Sequence, residues 1–261
     1  MIVNQDGRPL VQAAYAHGRE TGRLDQQRNR IEAERTKNLI TERLPPPRAV
    51  VLDVGGGPGY YAAWLHGRGY RVVLADVVET HARQAAEHGI PAMVADATAL
   101  PHPDEHADAL LLLGPLYHLI NPDDRAQALA EAYRVLHPGG ILFASALSRW
   151  AKSATRAADG QPHTPDDARH LAAIMTRGYD AHGGDWHACT YHHAPTELTA
   201  EIEHTGFTRP DVLGIEGPLG ALARHDPSLT DTALHLAAEA QRDAPALSIH
   251  MLAIAAKPAA A

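Results

Sequence analysis

Runs of apolar residues alternate regularly with amphipathic segments through most of the chain. Continuous apolar or β-branched runs are typical of strands buried on both faces, and apolar positions that recur every three or four residues predict helices. Strands are predicted over residues 50–53, 71–76, 91–96, 107–113, 141–148, 208–215 and 246–256. Helices are predicted over residues 31–44, 60–68, 79–88, 123–136, 165–177, 195–205 and 229–242. This alternation predicts an α/β fold with a mostly parallel sheet.

The segment from Val50 to Gly59, VVLDVGGGPG, carries the most specific local signal. Its apolar run leads into Asp53 and a glycine cluster follows at once, which predicts a buried strand that ends in a tight turn. Gly55, Gly57 and Gly59 have no Cβ, so the backbone can bend there and come close to a ligand at the N-terminus of the next helix. The pattern predicts a nucleotide-type binding loop.

Asp53 distinguishes between two classes of fold that share the strand–loop–helix arrangement, those that bind a dinucleotide and those that bind S-adenosylmethionine. A dinucleotide fold places a pyrophosphate against the helix N-terminus, where a carboxylate would repel it. An ammonium group brought to the same corner would be stabilised by Asp53, and S-adenosylmethionine carries one. The glycine spacing alone does not decide, because Gly57-x-Gly59-x-x-Ala62 fits the loose dinucleotide pattern. As a whole, DVGGGPG resembles the first motif of the class I S-adenosylmethionine-dependent methyltransferases.

A second stretch carries the same resemblance independently. The run EAYRVLHPGGILFAS at 131–145 is similar to the helix–turn–strand segment of these methyltransferases. The matched motifs together cover roughly residues 49 to 147. The resemblance therefore extends over the first five of the seven predicted strands.

Acidic residues end the second and third predicted strands. Asp76 follows Asp53 by 23 positions, where an acid is placed to accept hydrogen bonds from both ribose hydroxyls. In the resembling family the acid at Asp96 lies near the adenine amino group, and its neighbour Ala97 packs on the ring. The resemblance implies a cofactor site that contains Asp53, Gly55, Gly57, Gly59, Asp76, Val77, Asp96, Ala97, Leu113, Gly114 and Tyr15.

The resemblance also implies the architecture: a Rossmann-like, doubly wound seven-stranded sheet, mostly parallel with an antiparallel last strand. We expect one methyltransferase domain over 1–261, with a helical N-terminal lid (1–47) and a cofactor-binding core (48–147). An acceptor-side insertion after the fifth strand (148–194) and the C-terminal part of the sheet (195–261) complete it. In the lid, Tyr15, Arg23 and Arg35 are candidates to cover the cofactor, although a solvated helix with salt-bridged faces is the favoured explanation of all three.

Composition excludes several classes of function. Lys and Arg number 23 against 31 Asp and Glu, a formal charge of -8, which disfavours a protein that holds phosphate backbones. The most apolar run, 107–120, is interrupted and too short to span a bilayer, and the start MIVNQDGRPL lacks a signal-peptide pattern. Cys189 is the single cysteine, so no internal disulfide can form. We expect a cytoplasmic monomer or homodimer that binds neither nucleic acid nor membrane.

Tyr117 and His118 are the candidate catalytic residues. They leave the C-terminal end of the fourth predicted strand, and ligands of open α/β sheets bind outside that end. An imidazole titrates in the range that suits removal of a proton from an acceptor hydroxyl or ammonium. The alternative is that His118 packs beneath the cofactor and bonds a backbone carbonyl, and both interpretations stay open.

The segment around Cys189 is rich in histidine, from His182 to His193. Its spacing fits no zinc template, and the whole chain contains 18 histidines, so chance adjacency explains the cluster without a metal. We predict that no metal binds and that these aromatic and imidazole groups line the acceptor pocket.

The predicted function is transfer of the methyl group of S-adenosylmethionine to an oxygen, nitrogen or carbon atom of a small-molecule metabolite. No Asn-Pro-Pro-Tyr or Asp-Pro-Pro-Tyr run follows the fourth strand, which disfavours amide and base amino groups as acceptors. Two alternatives remain: a methyltransferase-like binding or regulatory protein without turnover, and a nicotinamide-linked oxidoreductase.

Overall fold

Strands and helices alternate along most of the computed structural model, which describes residue 15 and residues 20–161, 164–180 and 189–259. The strands are β1 (Val50–Val54), β2 (Arg71–Asp76), β3 (Ala92–Val94), β4 (Ala107–Leu112), β5 (Leu136–Ser148), β6 (Tyr179–Asp180), β7 (Thr190–His193), β8 (Asp211–Gly214) and β9 (His250–Ala256). The helices are α1 (Arg30–Thr41), α2 (Tyr60–Gly67), α3 (Glu79–Glu87), α4 (Pro115–His118), α5 (Pro122–Val135), α6 (Ala151–Ala158), α7 (Pro165–Arg177), α8 (Pro195–His204), α9 (Gly220–Ala223) and α10 (Thr230–Ala240).

The sheet is parallel from one edge to its centre. Strands β3, β2, β1, β4 and β5 lie side by side in that order, and each neighbouring pair is parallel. Strand β9 then pairs antiparallel with β5, and β8 pairs antiparallel with β9. The order reverses between β1 and β4, and a switch point of this kind is where ligands of open α/β sheets bind.

Apolar side chains cover both faces of the sheet. Leu52 and Val54 of β1 pack with α5 and α8 on one face, whereas Val51 packs with α1, α2 and α3 on the other. Successive side chains of a strand point to opposite faces, so β1 contributes to both layers. This explains why the sheet strands have nearly continuous apolar runs rather than alternating ones.

The structure confirms the predicted fold class and adds to its strand count. The seven predicted strands are all present, and the antiparallel last strand is β9. Two short strands, β6 and β7, extend the sheet to nine among the described residues. Both lie in the segment 148–194, where β7 pairs with the end of β5 at Leu147 and Ser148 and, on its other side, with two residues of β6. Such short pairing leaves too little apolar alternation to be recognised in a sequence.

The two segments that were expected to cover the site are described in part. Of the predicted lid, the structure describes Tyr15 and the residues from 20 onward, including α1. The segment 148–194 contains α6, the predicted helix α7, and the strands β6 and β7. Whether these segments act as a lid and as an acceptor-side cover stays a prediction.

Gly59 shows how closely α2 and α3 pack above the glycine loop. Its φ is +95°, and a Cβ there would lie 3.2 Å from the Cβ of Ala85. Gly89 also has a positive φ, +77°, but a Cβ there would meet nothing within 4 Å. We expect Gly89→Ala to cost about 1 kcal/mol of unfolding free energy from backbone strain alone, and Gly59→Ala about 1 kcal/mol more. Denaturant titration of both variants tests this, and equal losses would contradict the close packing.

Candidate active site

One cavity of about 660 Å³ opens at the carboxyl ends of the parallel strands. Twelve of the thirteen predicted site residues line it. They include the three acids at the strand ends and two residues of the short helix α4. The twelve are Tyr15, Asp53, Gly55, Gly57, Asp76, Val77, Asp96, Ala97, Leu113, Gly114, Tyr117 and His118. The exception is Gly59, which does not line the cavity because it turns the chain into α2 and packs against α3.

The glycine loop is held in place by contacts that leave no room for side chains. Gly55 has a φ of +68°, and a Cβ there would lie 2.6 Å from the ring of Pro115. Gly56 was not among the predicted residues, yet a Cβ there would lie 2.6 Å from the carboxylate of Asp53. A non-glycine residue at either position would displace the loop from the strand ends.

Asp53 is buried at the end of β1, with 1% of its surface exposed. Neither carboxylate oxygen makes a hydrogen bond of ordinary geometry with the described residues. Burial and, to a smaller extent, the nearby charge of Asp76 raise the pKa of Asp53 to about 7, although the backbone N–H of Ala62 acts in the opposite direction. A buried and unpaired carboxylate is costly unless a ligand supplies a partner, so this orphaned group is evidence of a site for a cation.

Asp76 holds the glycine loop as well as facing the cavity. Its Oδ2 accepts from the backbone N–H of Gly57 at 2.8 Å, and its Oδ1 accepts from that of Val78 at 2.8 Å. The ring of His81 lies 3.4 Å from Oδ1. A carboxylate offers about four lone-pair positions, so capacity remains for ligand hydroxyls. The sequence predicted the ligand contact but not this structural role.

Asp96 lines the cavity beyond the end of β3. Its Oδ1 accepts from the backbone N–H and from the hydroxyl of Thr98, at 2.9 and 2.8 Å. These bonds form a tight local turn that presents Ala97 to the same cavity. The third predicted acid is therefore oriented by its own loop.

Tyr117 and His118 form an aromatic cluster with Tyr15 in the cavity wall. The Tyr15 hydroxyl lies 2.9 Å from Nε2 of His118, and the rings of Tyr117 and His118 are 4.7 Å apart. Burial lowers the pKa of His118 to about 4, so its imidazole is neutral at pH 7. Burial raises the pKa of Tyr117, whose hydroxyl donates to the carbonyl of Leu113 at 3.3 Å. That either residue moves a proton stays a prediction, and the contacts favour a positioning role.

We expect His118→Asn to bind S-adenosylmethionine within about threefold of the parent, because an amide can still bond the Tyr15 hydroxyl. His118→Ala removes that bond, which is worth about 1 kcal/mol, or about fivefold in affinity. Calorimetric titration measures both, and Tyr15→Phe is the matched control because it removes the same bond from the other side. Equal losses in the Asn and Ala variants would show that the bond does not hold Tyr15 in place.

The far side of the cavity is lined by charged residues of the segment 148–194. Lys152 pairs with Asp180 at 3.2 Å, and the ring of His170 lies 2.9 Å from the same carboxylate. His192 is buried and bonds the carbonyl of Ser148 and the hydroxyl of Thr190. This wall therefore combines paired charges with neutral polar groups.

The histidine-rich segment divides into two parts. Of its described residues, Thr190 and His192 line the cavity, and contact with an acceptor stays a prediction. His193 instead lies 3.2 Å from the carboxylate of Glu201, and Tyr191 stacks on Arg125 at 3.7 Å, outside the cavity. The prediction for 182–188 falls outside the described residues.

The two lid arginines differ in position. Arg23 lines the cavity, where its guanidinium donates two hydrogen bonds of 2.8 Å to Glu32. Arg35 is buried against α10's C-terminal side and donates to Gln241 at 2.6 Å. Arg35 does not line the cavity, so its predicted role over the cofactor is not supported by the geometry.

Sequence reasoning missed a buried acid–histidine cluster beside the cavity. One ligand-type atom from each of Glu32, Glu216 and His250 lies within 4.8 Å of the others. His250 also lines the cavity itself. The available signal was a single imidazole within the apolar run of the last strand, which the general excess of histidine obscured.

Comparison with known proteins assigns the central part of the chain. Residues 52–144 match the family model for a methyltransferase domain. A ubiquinone/menaquinone biosynthesis C-methyltransferase of Acidiphilium cryptum is 38% identical over 114 residues, 40% of this chain and 45% of that protein. An uncharacterized methyltransferase of Mycobacterium tuberculosis is 39% identical over 111 residues, 41% of this chain and 42% of that protein. The matched stretch spans less than half the length of these curated relatives.

Solved structures are similar over nearly the whole chain. A Burkholderia thailandensis 1,6-didemethyltoxoflavin-N1-methyltransferase, solved with 1,6-didemethyltoxoflavin and S-adenosylhomocysteine bound, is similar with a TM-score of 0.58 at 19% identity. The similarity covers 96% of this chain and 87% of that one, and it supports the fold. Among the described residues, no helix has the length and apolar character of a membrane span.

Proposed function

We propose that the chain, whose residues 52–144 match the family model for a methyltransferase domain, is a class I S-adenosylmethionine-dependent methyltransferase that transfers the methyl group to a small-molecule metabolite. The observation that carries this proposal is the convergence of Asp53, Asp76 and Asp96 on one cavity from the ends of three neighbouring strands. The acceptor atom is an oxygen, nitrogen or carbon.

The residues of the cavity fit the cofactor group by group. The unpaired carboxylate of Asp53 suits an ammonium group, and the remaining lone pairs of Asp76 suit ribose hydroxyls. Asp96 and Ala97 line the same cavity, where we expect them to contact the adenine amino group and ring. When bound, the cofactor supplies a methyl group that its sulfonium has already activated. The chain's own tasks are then to bind, align and exclude water, and no catalytic triad is required.

Cavity size and charge support an acceptor of metabolite size. The volume of about 660 Å³ lies within the range of about 300–1,000 Å³ that small ligands and cofactors occupy. The basic groups on the far wall are paired with acids, Lys152 with Asp180 and Arg156 with Asp167 at 3.1 Å. A polynucleotide would require an open basic groove, and the net charge of -8 opposes one.

Calorimetric titration with S-adenosylmethionine and with NAD tests the proposal directly. We expect binding of the first and none of the second, and the reverse result would favour the oxidoreductase alternative. Transfer of a labelled methyl group to a panel of hydroxylated, amino and activated-carbon metabolites then separates an enzyme from a binding or regulatory protein. Binding without transfer to any acceptor would favour the latter.

A further inference from the structure

His250 and Glu216 form a hydrogen-bonded pair in the wall of the cavity. Nδ1 of His250 bonds Oε1 of Glu216, and the backbone N–H of His250 donates to Oε2 at 2.9 Å. Both carboxylate oxygens therefore hold the same residue. A carboxylate only accepts, so Nδ1 carries a hydrogen, and in the neutral imidazole Nε2 keeps its lone pair. No described residue bonds Nε2.

The fold places Glu216 beside His250 through the pairing of β8 with β9. The ladder continues past β8, since the N–H of Ile215 donates to the carbonyl of His250 at 3.0 Å. Glu216 is the next residue, and Gly220 provides its space, because a Cβ there would lie 2.2 Å from the Cβ of Glu216. The side chain of Glu216 is 5% exposed. The pairing of β8 with β9 therefore holds Glu216 where it fixes the orientation of the imidazole ring.

Charged groups around the ring favour the protonated imidazole. Burial lowers the pKa of His250, but Glu216 and Glu32 together outweigh it and raise the pKa above its usual value, against the opposing charge of Arg23. Glu32 itself accepts two hydrogen bonds from the guanidinium of Arg23, and Arg224 places a further positive charge nearby. An imidazole that is stabilised when it gains a proton can take one from a neighbouring group.

His250 stands close to the cofactor side of the cavity. In the register of the sheet it lies opposite Leu147 of β5, and Leu147 also lines the cavity. Its ring centroid is 6.4 Å from that of Tyr117. The hydroxyl of Tyr117 donates to the carbonyl of Leu113, the residue that follows β4. A base at this position faces the space between the predicted cofactor residues and the charged wall of the segment 148–194.

We propose that His250, oriented by Glu216, is the general base that removes a proton from a hydroxyl group of the acceptor, which makes the chain an O-methyltransferase. The proposal rests on the proposed function. The acceptor proton moves to Nε2, and the acceptor oxygen bonds the methyl carbon as the methyl–sulfur bond breaks. The bonding pair stays on sulfur, which becomes a neutral thioether, and Nε2 later releases its proton to solvent. A hydroxyl is a weak nucleophile until it loses its proton, whereas a neutral amine needs no base.

The test uses a phenol whose ionised form absorbs visible light, 4-nitrophenol, with the full chain saturated by S-adenosylhomocysteine. We expect the bound phenol to ionise at least one pH unit below the free phenol, because Nε2 accepts its proton. His250→Asn should abolish this shift and Glu216→Gln should reduce it at least threefold. His235→Asn, on the exposed face of α10, is the matched control and should leave the shift unchanged. A phenol that ionises as it does free in water, or a shift that survives His250→Asn, would overturn the proposal.

Two further measurements separate the possible failures. Calorimetric affinity for S-adenosylhomocysteine should stay within threefold of the parent in His250→Asn, since the residue acts on the acceptor. If the parent itself binds no S-adenosylhomocysteine, the proposed function fails rather than the assignment of the base. Chelation by EDTA should leave the phenol shift intact, and its loss with recovery on added Mg²⁺ would assign Glu32, Glu216 and His250 to a cation instead.

Discussion

S-adenosylmethionine is expected to bind about tenfold more tightly at pH 8 than at pH 6. In the cofactor-free chain the pKa of Asp53 is raised to about 7, first by burial and then by Asp76. An ammonium group beside the carboxylate favours its ionised form, so below pH 7 binding must release a proton. Affinity therefore falls up to about tenfold for each pH unit below 7 and levels off above it.

Calorimetry in two buffers of different ionisation enthalpy measures both the affinity and the proton released. We expect close to one proton at pH 6 and almost none at pH 8. In Asp53→Asn the affinity should be lower at pH 8 and independent of pH. Asp108→Asn changes a carboxyl that accepts from the N–H of Val50 at 2.8 Å and does not line the cavity, so it should keep the parent's pH dependence. A parent affinity that does not vary between pH 6 and 8 would remove Asp53 from the ammonium site.

The same carboxyl should destabilise the cofactor-free fold. The pKa of Asp53 is higher in the folded chain than its ordinary value of 3.8, so the folded state gains less from ionisation than the unfolded state does. The resulting penalty is absent below about pH 4, grows as the pH rises and is complete above about pH 7, where it reaches up to about 4 kcal/mol. Asp53→Asn is therefore expected to raise the free energy of unfolding at pH 8 while it lowers cofactor affinity.

Asp76→Ala is expected to lower affinity for S-adenosylmethionine by at least about a hundredfold. Loss of charged hydrogen bonds to the ribose accounts for about 1.5–3 kcal/mol. The substitution also leaves the N–H groups of Gly57 and Val78 without their acceptor, which costs about 1–3 kcal/mol for each buried group and releases the glycine loop. Both the binding energy and the folding energy are therefore reduced.

Calorimetry and denaturant titration of the same samples separate these two losses. Asp108→Ala is the matched control, because it also removes a carboxylate that accepts a strand-end N–H, but at the opposite end of β1. It should lose stability and keep the parent's cofactor affinity. Unchanged cofactor affinity in Asp76→Ala would place the ribose elsewhere.

The sequence alone determined the core of the fold and most of the predicted residues that line the cavity. The strand, turn and helix around Val50–Gly59 depend on interactions between near neighbours, so they are visible as an apolar run, an acid and a glycine cluster. Asp53, Asp76 and Asp96 each end a strand, and parallel strands end at one edge of a sheet. Their convergence on one cavity followed from the order of elements alone.

Side-chain partners could not be predicted in the same way. The sequence placed Gly59 in the cofactor site, but its φ of +95° and its contact with Ala85 depend on how α2 and α3 pack. It left two roles open for His118, a general base or a residue that packs beneath the cofactor, and burial lowers the pKa of His118 to about 4. Helix packing decides the first case and burial decides the second, and neither is encoded by local spacing.

Only the tertiary structure brought together Glu32, Glu216 and His250. They come from α1, the turn after β8 and the start of β9, and the long separations in the chain leave no motif to recognise. Their meeting depends on the antiparallel pairing of β9 with both β5 and β8, which sets His250 opposite Leu147 and Glu216 beside it. Local pattern thus determined where the three acids meet, while strand pairing between distant segments placed His250 beside Glu216 in the wall of the cavity.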